Sequence, residues 1–416
     1  MKPFALYPSQ EEHAERLRGS LTSFGCALDT SDTGTGKTPV AVDVAWQLGR
    51  RPVIACPKTV VPSWERWLAQ REWNQEPVVL NYERYRMGKT PYYSKGCDSY
   101  GTAIGWDLDP EQDLLIFDEV QRCKGLKTET SQLLRYSAGI PTLALSATAA
   151  SSPLDMKALG GRFGLFPSHA HHWNWCRKHG CRPGAFGGMR FTNGEKWIKK
   201  IRAELAPMMS RLRREDIPEF PDSLIIDEGI DFGSQLTRLW KELEAKIESI
   251  PTAQERIVEI LRARQKAELL KVPHTVELAL DALQEGNSVA IFQNFHASID
   301  MLMSGLRSAG IEPREYSGRT AKDRDGYAQD FCADRLDSII VQNASGGVGL
   351  NLHGQRHRTA LHSPTWSADQ HKQCLGRVWR AGGAKSVQRI LTCGDDEKRV
   401  QEKAVINCGY IDLFNG

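Results

Sequence analysis

The chain has 416 residues, of which 40% are hydrophobic and 25% charged, the composition of a soluble globular protein of two or three domains. Its longest apolar runs, such as Leu114–Phe117, are far shorter than the ~20 residues that cross a bilayer. The acidic N-terminal segment is not a signal peptide, so we expect a cytoplasmic protein (in the nucleoid or host cytoplasm, if bacterial or viral), no membrane association, and reduced cysteines.

The net charge is only +3, but the charge is unevenly distributed. Residues 177–214 contain eleven Lys and Arg against two Glu, and residues 350–393 contain seven against one Asp. Two basic stretches in a nearly neutral chain indicate a surface that faces a polyanion. The alternative is that both are ordinary solvated helix faces.

The first motif is a glycine loop between a short apolar run and an apolar-rich segment. Cys26–Leu28 predicts a strand, Ser31–Thr38 a loop, and Val40–Leu48 a helix. Such a loop can wrap phosphates with its backbone N–H groups, while Lys37 reaches the β- and γ-phosphates and Thr38 binds Mg²⁺. Ser31 stands where such loops usually begin with glycine, and a tight turn before a helix is the alternative.

Polar residues precede this loop and follow the next two predicted strands. Gln10, near the start of a helical pattern, has a carboxamide that can read an adenine edge, although a Gln near a helix start is usually just solvated. Lys58 follows the strand 52–57, and Asn81 follows 78–80. Because strand ends of a parallel sheet face the ligand crevice, both can contact a nucleic-acid backbone there. Trp64 and Trp67 are predicted to be core residues.

A carboxylate pair follows the most apolar strand. Leu114–Phe117 leads directly into Asp118 and Glu119, an arrangement suited to ATP hydrolysis, in which Asp118 holds Mg²⁺ and Glu119 orients the attacking water. An exposed acidic turn is the alternative. Leu143–Leu145 predicts another strand, which ends in Ser146-Ala147-Thr148.

Histidines and cysteines cluster after residue 168, namely His169, His171, His172, Cys176, His179 and Cys181. Their spacing matches no common zinc finger, and we expect no structural zinc.

The second half of the chain repeats the alternation of strands and helices. A helical segment, 234–285, precedes strands at 289–292 and 339–341. We therefore predict an α/β protein with two parallel-sheet domains. The expected division is 1–155 for the first domain, 156–285 for a helical connector and insertion, and 286–416 for the second domain.

Six motifs in this order resemble the superfamily-two helicase-like motors, and among them the Swi/Snf family of double-stranded DNA translocases. They are Gln10, Asp32–Thr38, Asp118–Gln121, Ser146–Thr148, Ser345–Leu352 and Gln373–Gly382. The resemblance covers nearly the whole chain and implies two RecA-like domains, use of ATP and Mg²⁺, and binding of double-stranded or branched DNA by a monomeric motor.

The resemblance also implies roles for individual residues. The catalytic set is Lys37, Asp118, Glu119, Arg377 and Arg380, the two arginines acting as fingers from the second domain. Nucleotide contacts would come from Gln10, Thr33, Gly34, Thr35, Gly36, Lys37, Thr38, Asp118, Gln121, Gly349 and Gln373. Mg²⁺ would be held by Thr38 and, through water, by Asp118. DNA contacts would come from Lys58, Asn81, Ser345 and Gly346.

Residues 166–221 resemble the annealing-helicase (HepA-related) branch of this family, whose connector carries no metal. The resemblance implies a translocase that remodels branched DNA by branch migration, fork regression or strand annealing. A strand-separating helicase and a nucleotide-gated DNA-binding protein without useful turnover are the alternatives. Gln121, Trp379 and Gly383 depart from the family pattern, which places the coupling of hydrolysis to movement in question.

Overall fold

The structure, a computed structural model, describes residues 5–95, 105–125, 128–184, 188–192, 194–232, 241–242, 245–246, 249–250, 252–346, 349–365 and 367–416. The chain forms two compact units. The first contains Met1–Ile217 and Asn407–Gly416, and the second contains Pro218–Ile406. The predicted connector region is therefore shared between the units, and the last ten residues belong to the first.

The first unit is built on a six-stranded parallel sheet. Its strands in chain order, with two short hairpins, are β1 (Cys26–Asp29), β2 (Arg51–Cys56), β3 (Val78–Asn81), β4 (Tyr93–Ser94), β5 (Gly105–Trp106), β6 (Asp113–Asp118), β7 (Thr142–Leu145), β8 (Cys181–Pro183), β9 (Met189–Phe191) and β10 (Met209–Ser210). The sheet order is β10-β1-β7-β6-β2-β3, and β4-β5 and β8-β9 are separate antiparallel pairs. Strands β1, β6 and β7 are buried along their whole length, as their uninterrupted apolar sequences predict.

Helices of the first unit cover this sheet and continue beyond it. They are α1 (Pro8–Phe24), α2 (Lys37–Gln47), α3 (Val61–Leu68), α4 (Tyr82–Arg86), α5 (Glu129–Arg135), α6 (Lys157–Arg162), α7 (His172–Lys178) and α8 (Glu195–Leu205), with 3₁₀ turns at Lys58–Val60, Val120–Cys123, Pro153–Met156, His169–His171, Ala206–Met208 and Arg214–Asp216. The apolar stripe of α8, formed by Ile198, Ile201 and Leu205, packs into the same core as strands β2 and β6. The segment after β7 is thus an extension of the first unit.

The second unit repeats the parallel design. Its strands are β11 (Ser223–Ile230), β12 (Ser288–Gln293), β13 (Arg314–Tyr316), β14 (Ser338–Gln342), β15 (Arg358–His362) and β16 (Ser386–Cys393), in the order β11-β16-β15-β12-β14-β13. Its helices are α9 (Ala253–Gln284), α10 (His296–Ser308), α11 (Arg324–Cys332), α12 (Asn343–Gly346), α13 (Ala368–Leu375) and α14 (Gly394–Asn415), the last of which ends in the first unit. Helices α9 and α10 pack on β12 through an apolar cluster that includes Val272, Leu302 and Ile291.

These observations confirm the prediction of two parallel α/β domains. In each sheet the carboxyl ends of the strands lie at one edge, where the polar residues of the motifs follow. No helix in the described part of the chain is long and apolar enough to span a membrane.

A buried carboxylate joins α1 to the sheet of the first unit. Asp29, at the end of β1, is fully buried, and its Oδ1 lies 3.2 Å from Nε2 of the equally buried His13. Burial alone would raise the pKa of Asp29, but the charges of His13 and Lys37 and the hydrogen bonds from His13 and Ser31 outweigh it, so the pKa is lowered. This contribution to stability is present above the ordinary Asp pKa and is lost as the pH falls through the lowered value.

We expect Asp29→Asn to lower the free energy of unfolding by about 3–5 kcal/mol at pH 7, because His13 loses its buried partner. The difference from wild type should shrink below pH 4. Urea unfolding followed by tryptophan fluorescence measures both. Glu12→Gln, which removes an exposed partner of Arg16 on the same helix, is the control and should cost less than about 1 kcal/mol. Equal losses in the two variants would contradict this account.

Candidate functional site

The glycine loop lies between β1 and α2 in the first unit. Gly34 and Gly36 have φ values of 91° and 93°, in the left-handed region that favours glycine. A Cβ at Gly36 would also collide with Nε2 of Gln10. The loop conformation therefore depends on glycine at this position, and the chain enters α2 at Lys37 with the free N–H groups of a helix start.

Lys37 folds back over the loop. Its Nζ donates hydrogen bonds to the backbone oxygens of Ser31 and Asp32, at 2.9 and 3.0 Å. Thr38 follows in the first turn of α2 and is half-buried. The Lys37 ammonium group therefore lies against the loop at the N-terminus of α2, where an anion is favoured.

Gln10 is buried against the same loop. Its Nε2 donates to the Thr35 carbonyl oxygen at 2.8 Å, and its Oε1 accepts from the Tyr7 N–H at 2.9 Å. The Thr35 hydroxyl in turn donates to the Asp32 carbonyl oxygen at 2.9 Å. The carboxamide therefore fixes the loop from the side of α1.

Ser31, the residue in place of the usual glycine, connects three segments. Its N–H donates to Asp29 Oδ1 at 2.8 Å, and its Oγ lies 3.1 Å from Nε2 of His13. The same Oγ accepts from the Leu212 N–H at 2.9 Å. Ser31 is 1% exposed, so its hydroxyl is a buried anchor and is not placed for nucleophilic chemistry.

Two arginines beyond β10 contact the loop, and sequence reasoning assigned no such contact to them. Nη2 of Arg211 pairs with Asp32 Oδ1 at 2.7 Å. The Arg214 guanidinium donates to the Thr33 hydroxyl and, at 3.2 Å, to its carbonyl oxygen. Burial lowers the pKa of Arg214, a change that the charge of Asp32 opposes. The basic run 211–214 was the one sequence signal for these contacts.

Asp118 and Glu119 end β6 at the same edge of the sheet. Burial, and then the charge of Glu119, raise the pKa of Asp118 to about 7, against the opposing hydrogen bond from Trp64. That bond joins the Trp64 indole N–H to Asp118 Oδ2 at 2.9 Å, so Trp64 is a core residue that also contacts the site. Glu119 has a φ of 56°, and strain of this kind in a non-glycine residue is common at functional sites.

Gln121, in place of the family's histidine, links the carboxylates to the third motif. Its Nε2 donates to Glu119 Oε2, and its Oε1 accepts from the Ser146 hydroxyl at 2.6 Å. The Thr148 N–H donates to Ser146 Oγ at 2.9 Å. Nδ2 of Asn415, near the end of α14, donates to the Ala147 carbonyl oxygen at 2.7 Å, a contact that sequence reasoning missed.

Of the predicted DNA-contact residues of the first unit, Lys58 follows β2 and Asn81 is the last residue of β3. Lys58 is exposed and begins the 3₁₀ turn after β2. The Asn81 side chain caps α4, accepting a hydrogen bond from the Arg84 N–H at 2.9 Å.

Four members of the histidine and cysteine cluster, His172, Cys176, His179 and Cys181, are buried, whereas His169 is half-buried and His171 is exposed. His172 Nε2 lies 3.2 Å from Cys176 Sγ, and His179 stacks on Trp175 with ring centroids 4.2 Å apart. A hydrogen bond with Cys181, together with burial, raises the pKa of the Cys176 thiol. Among the residues that the structure describes, no group of three or more His, Cys, Asp or Glu side chains could hold a metal ion.

The fifth motif follows β14 in the second unit. Ser345 and Gly346 lie in α12, and the Ser345 hydroxyl donates to Gln342 Oε1 at 3.0 Å. Gly349 has a φ of 75°, and Leu350 and Leu352 are buried. Residues 347–348 of this motif, and Asn193 of the connector resemblance, lie outside the described residues.

Arg377 joins the fifth and sixth motifs within the second unit. It is 3% exposed, its Nη1 donates to the Leu350 carbonyl oxygen at 3.1 Å, and its own carbonyl oxygen accepts from the Leu352 N–H at 3.0 Å. Gln373 is buried in α13, and Arg380 is half-buried after it.

Two departures from the family pattern, Trp379 in the sixth motif and Gly383 directly after it, have close neighbours in the second unit. The Trp379 indole N–H donates to the Pro221 carbonyl oxygen at 2.7 Å, and its ring meets Phe220 edge to face. A Cβ at Gly383 would lie 3.2 Å from both the Arg380 carbonyl oxygen and His353 Cβ. Trp379 therefore ties the sixth motif to the segment before β11, and Gly383 occupies a tight position.

Comparison with known proteins gives several matches. Residues 271–382 match the model of the helicase conserved C-terminal domain. A putative ATP-dependent RNA helicase of Acanthamoeba polyphaga mimivirus is 31% identical over 94% of this chain and 80% of its own length. A putative ATP-dependent helicase/translocase of Bacillus subtilis is 21% identical over 95% of this chain, which spans 47% of that protein.

Shorter and more distant matches accompany these. The DNA repair and recombination protein RAD54B of Gallus gallus is 26% identical over 30% of this chain and 14% of its own length. Among solved structures, the Sulfolobus solfataricus SWI2/SNF2 ATPase core in complex with dsDNA aligns with 100% of this chain and 95% of its own, at 16% identity and a TM-score of 0.40.

The match to the viral relative covers 94% of this chain and so includes most of both units, and the helicase domain model falls within the second unit. The chain therefore belongs to the superfamily-two helicases.

Proposed function

We propose that this chain is a DNA-dependent ATPase of the annealing-helicase branch that translocates along duplex DNA and remodels branched DNA. The observation that carries the proposal is the contact chain at the carboxyl edge of the first sheet. There the phosphate loop with Lys37 follows β1 and the Asp118–Glu119 pair lies at the end of β6, the two strands that flank β7 in one sheet, and Gln121 links Glu119 to Ser146, which follows β7.

The residues present fit ATP and Mg²⁺. A loop with left-handed glycines, a helix start and Lys37 suits the phosphates, and Gln10 lies beside it for the adenine. Thr38 and Asp118 supply the oxygen ligands that Mg²⁺ prefers. Burial and the charge of Glu119 raise the pKa of Asp118 to about 7, and a cation bound beside this carboxyl group would favour its charged form. Bound Mg²⁺ would neutralise charge on the phosphate oxygens.

In the proposed reaction a water oxygen bonds to the γ-phosphorus, the bond to the β–γ bridging oxygen breaks, and ADP leaves. Glu119 orients that water and accepts its hydrogen bond. Because Gln121 contacts both Glu119 and Ser146, a change at the carboxylate is transmitted directly to the third motif.

Arg377 and Arg380 are proposed as the fingers that stabilise charge on the transferred phosphoryl group. Arg377 also holds Leu350, so Arg380 gives the cleaner test.

We propose that duplex DNA is held through its phosphates by Lys58, Asn81, Ser345 and Gly346, which follow strand ends in the two sheets. Such contacts carry little sequence information.

The relatives' names support an enzyme acting on nucleic acid, although they include both DNA and RNA proteins. Branched DNA is the preferred substrate because moving a branch point forms about as many base pairs as it breaks, so the ~1.4 kcal/mol per step nearly cancels.

Turnover should depend on the first unit's carboxylate and on the second unit's arginine. We expect Lys37→Ala to weaken ATP binding, and Glu119→Gln to preserve binding while lowering kcat by about 10²–10⁴-fold. Arg380→Ala should lower kcat by about 10³-fold or more. Phosphate release with and without duplex DNA, combined with nucleotide binding, tests all three. Near wild-type turnover in Arg380→Ala would exclude the proposed finger.

The pH dependence of the ATPase rate should change when the hydrogen bond from Trp64 to Asp118 is removed. Trp64→Phe keeps an aromatic ring but removes the hydrogen bond that stabilises the Asp118 carboxylate, so the pKa of Asp118 should rise further. We expect the acidic limb of the pH–rate profile to move up by about one unit. Trp73→Phe, which loses an indole hydrogen bond to the Leu68 carbonyl oxygen, is the control and should leave the limb in place. An unmoved limb in Trp64→Phe would remove Asp118 from this role.

The product test uses ATP with a model fork, a four-way junction, and tailed DNA and RNA duplexes. We expect fork regression or junction resolution, with the tailed duplexes left intact. Efficient strand separation without action on the branched substrates would instead identify a strand-separating helicase. ATPase activity that no nucleic acid stimulates would contradict the proposal altogether.

A further inference from the structure

The outer face of the segment between β7 and β10 is a separate cationic surface that the proposed ATP and DNA contacts do not use. Its inner face is apolar, with Trp175, Ile198 and Leu205 in the core of the first unit. Its exposed basic side chains come from the end of α7, from the β8-β9 hairpin and from α8. They are Arg177, Lys178, Arg182, Arg190, Lys196, Lys199, Lys200 and Arg202.

Two arginines of the hairpin face each other directly. Arg182 and Arg190 are cross-strand partners in the antiparallel β8-β9 pair, and both are exposed. Like charges in this position destabilise a sheet. Within the described part of the chain, neither arginine forms an ion pair with an acidic side chain. An external anion between them would relieve the repulsion.

The hairpin and α8 meet at Trp197. Gly180, immediately before β8, has a φ of 83°, and a Cβ there would collide with the Trp197 ring. Nζ of Lys196 lies 5.3 Å from the ring centroid of Trp197, and Nζ of Lys200 lies 5.9 Å from it. The two lysines are thus gathered around the residue on which the base of the hairpin packs.

The acidic residues of α8 neutralise little of this charge. Glu195 pairs with Lys199 at 3.3 Å. Glu204 lies 3.5 Å from Nε2 of His179 and 4.0 Å from Lys200. Arg182, Arg190 and Lys196 have no such partner among the described residues, and they form the centre of what we call the Trp197 patch (Arg182, Arg190, Lys196, Trp197 and Lys200).

The patch is attached to the sheet edge opposite the proposed DNA contacts of the first unit. Helix α8 continues through the turn Ala206–Met208 into β10, which is one edge strand, whereas Asn81 is the last residue of β3, the other edge strand. Five strand spacings of ~4.8 Å separate these edge strands by about 24 Å. One surface can therefore hold the tracked duplex while the other holds a different duplex segment.

We propose that the Trp197 patch binds the phosphate backbone of a second duplex arm of branched DNA. The proposal rests on the proposed function and adds to it a residue-level reason for preferring branched substrates. Backbone binding by exposed Arg and Lys releases counterions, so it strengthens at low salt and is insensitive to sequence.

The test compares wild type with Arg182→Gln/Arg190→Gln on a four-way junction and on a linear duplex of the same length. Two lost phosphate contacts should weaken junction binding roughly tenfold and reduce the salt slope of log K by about 2. Linear-duplex affinity should change less than about twofold, and ATPase activity without DNA and at saturating linear duplex should match wild type. Arg182→Lys/Arg190→Lys, which keeps both charges, should bind the junction like wild type.

The control is Arg307→Gln/Arg335→Gln, which removes the same charge from exposed, ion-paired positions in the second unit and should leave junction binding unchanged. Equal weakening on junction and linear duplex would assign the patch to the tracked duplex and overturn the inference. No weakening on either substrate would also overturn it, with the proposed function intact. A wild-type protein whose ATPase activity is not stimulated by duplex DNA would instead refute the proposed function itself.

Discussion

The buried pair of Asp29 and His13 determines where the phosphate loop starts and which segments support it. A fully buried carboxylate requires hydrogen-bonded partners, and here they come from α1 and from the loop itself. Ser31 extends the network to Leu212, and Arg211 and Arg214 continue it along the loop. The loop is therefore held from both sides, by a helix that precedes it and by a segment about 180 residues later.

Next to this loop, at the carboxyl edge of the first sheet, Asp118 is subject to effects that act on its pKa in opposite directions. Asp118 lies in a site so buried that its carboxyl group is readily protonated, and Trp64 supplies the hydrogen bond that opposes this. Glu119 has a strained backbone conformation and contacts Gln121. A glutamine can bridge Glu119 and Ser146 because its carboxamide donates with one end and accepts with the other. The substitution for histidine therefore preserves a continuous contact chain.

The second unit shows how neighbouring residues accommodate other departures from the family pattern. Trp379 replaces a histidine and uses its indole N–H to hold Pro221, and its ring contacts Phe220. Arg377 is buried and connects the fifth and sixth motifs through hydrogen bonds to Leu350 and Leu352, which precede it by 27 and 25 residues. The sixth motif therefore organises the interior of its own unit, in addition to any role at a nucleotide.

The sequence by itself determined the two parallel α/β domains and the positions of the four motifs at the ends of β1, β6, β7 and β14. Both follow from local rules, since apolar runs predict buried strands, and glycines with Lys37 predict the loop. Tertiary structure alone decided that Trp64 contacts Asp118, that Arg214 contacts Thr33, and that Asn415 contacts Ala147. It also decided that residues 407–416 belong with the first unit. These contacts join residues far apart in the chain, and neither periodicity nor spacing carries information about long-range pairing, which depends on how whole elements pack.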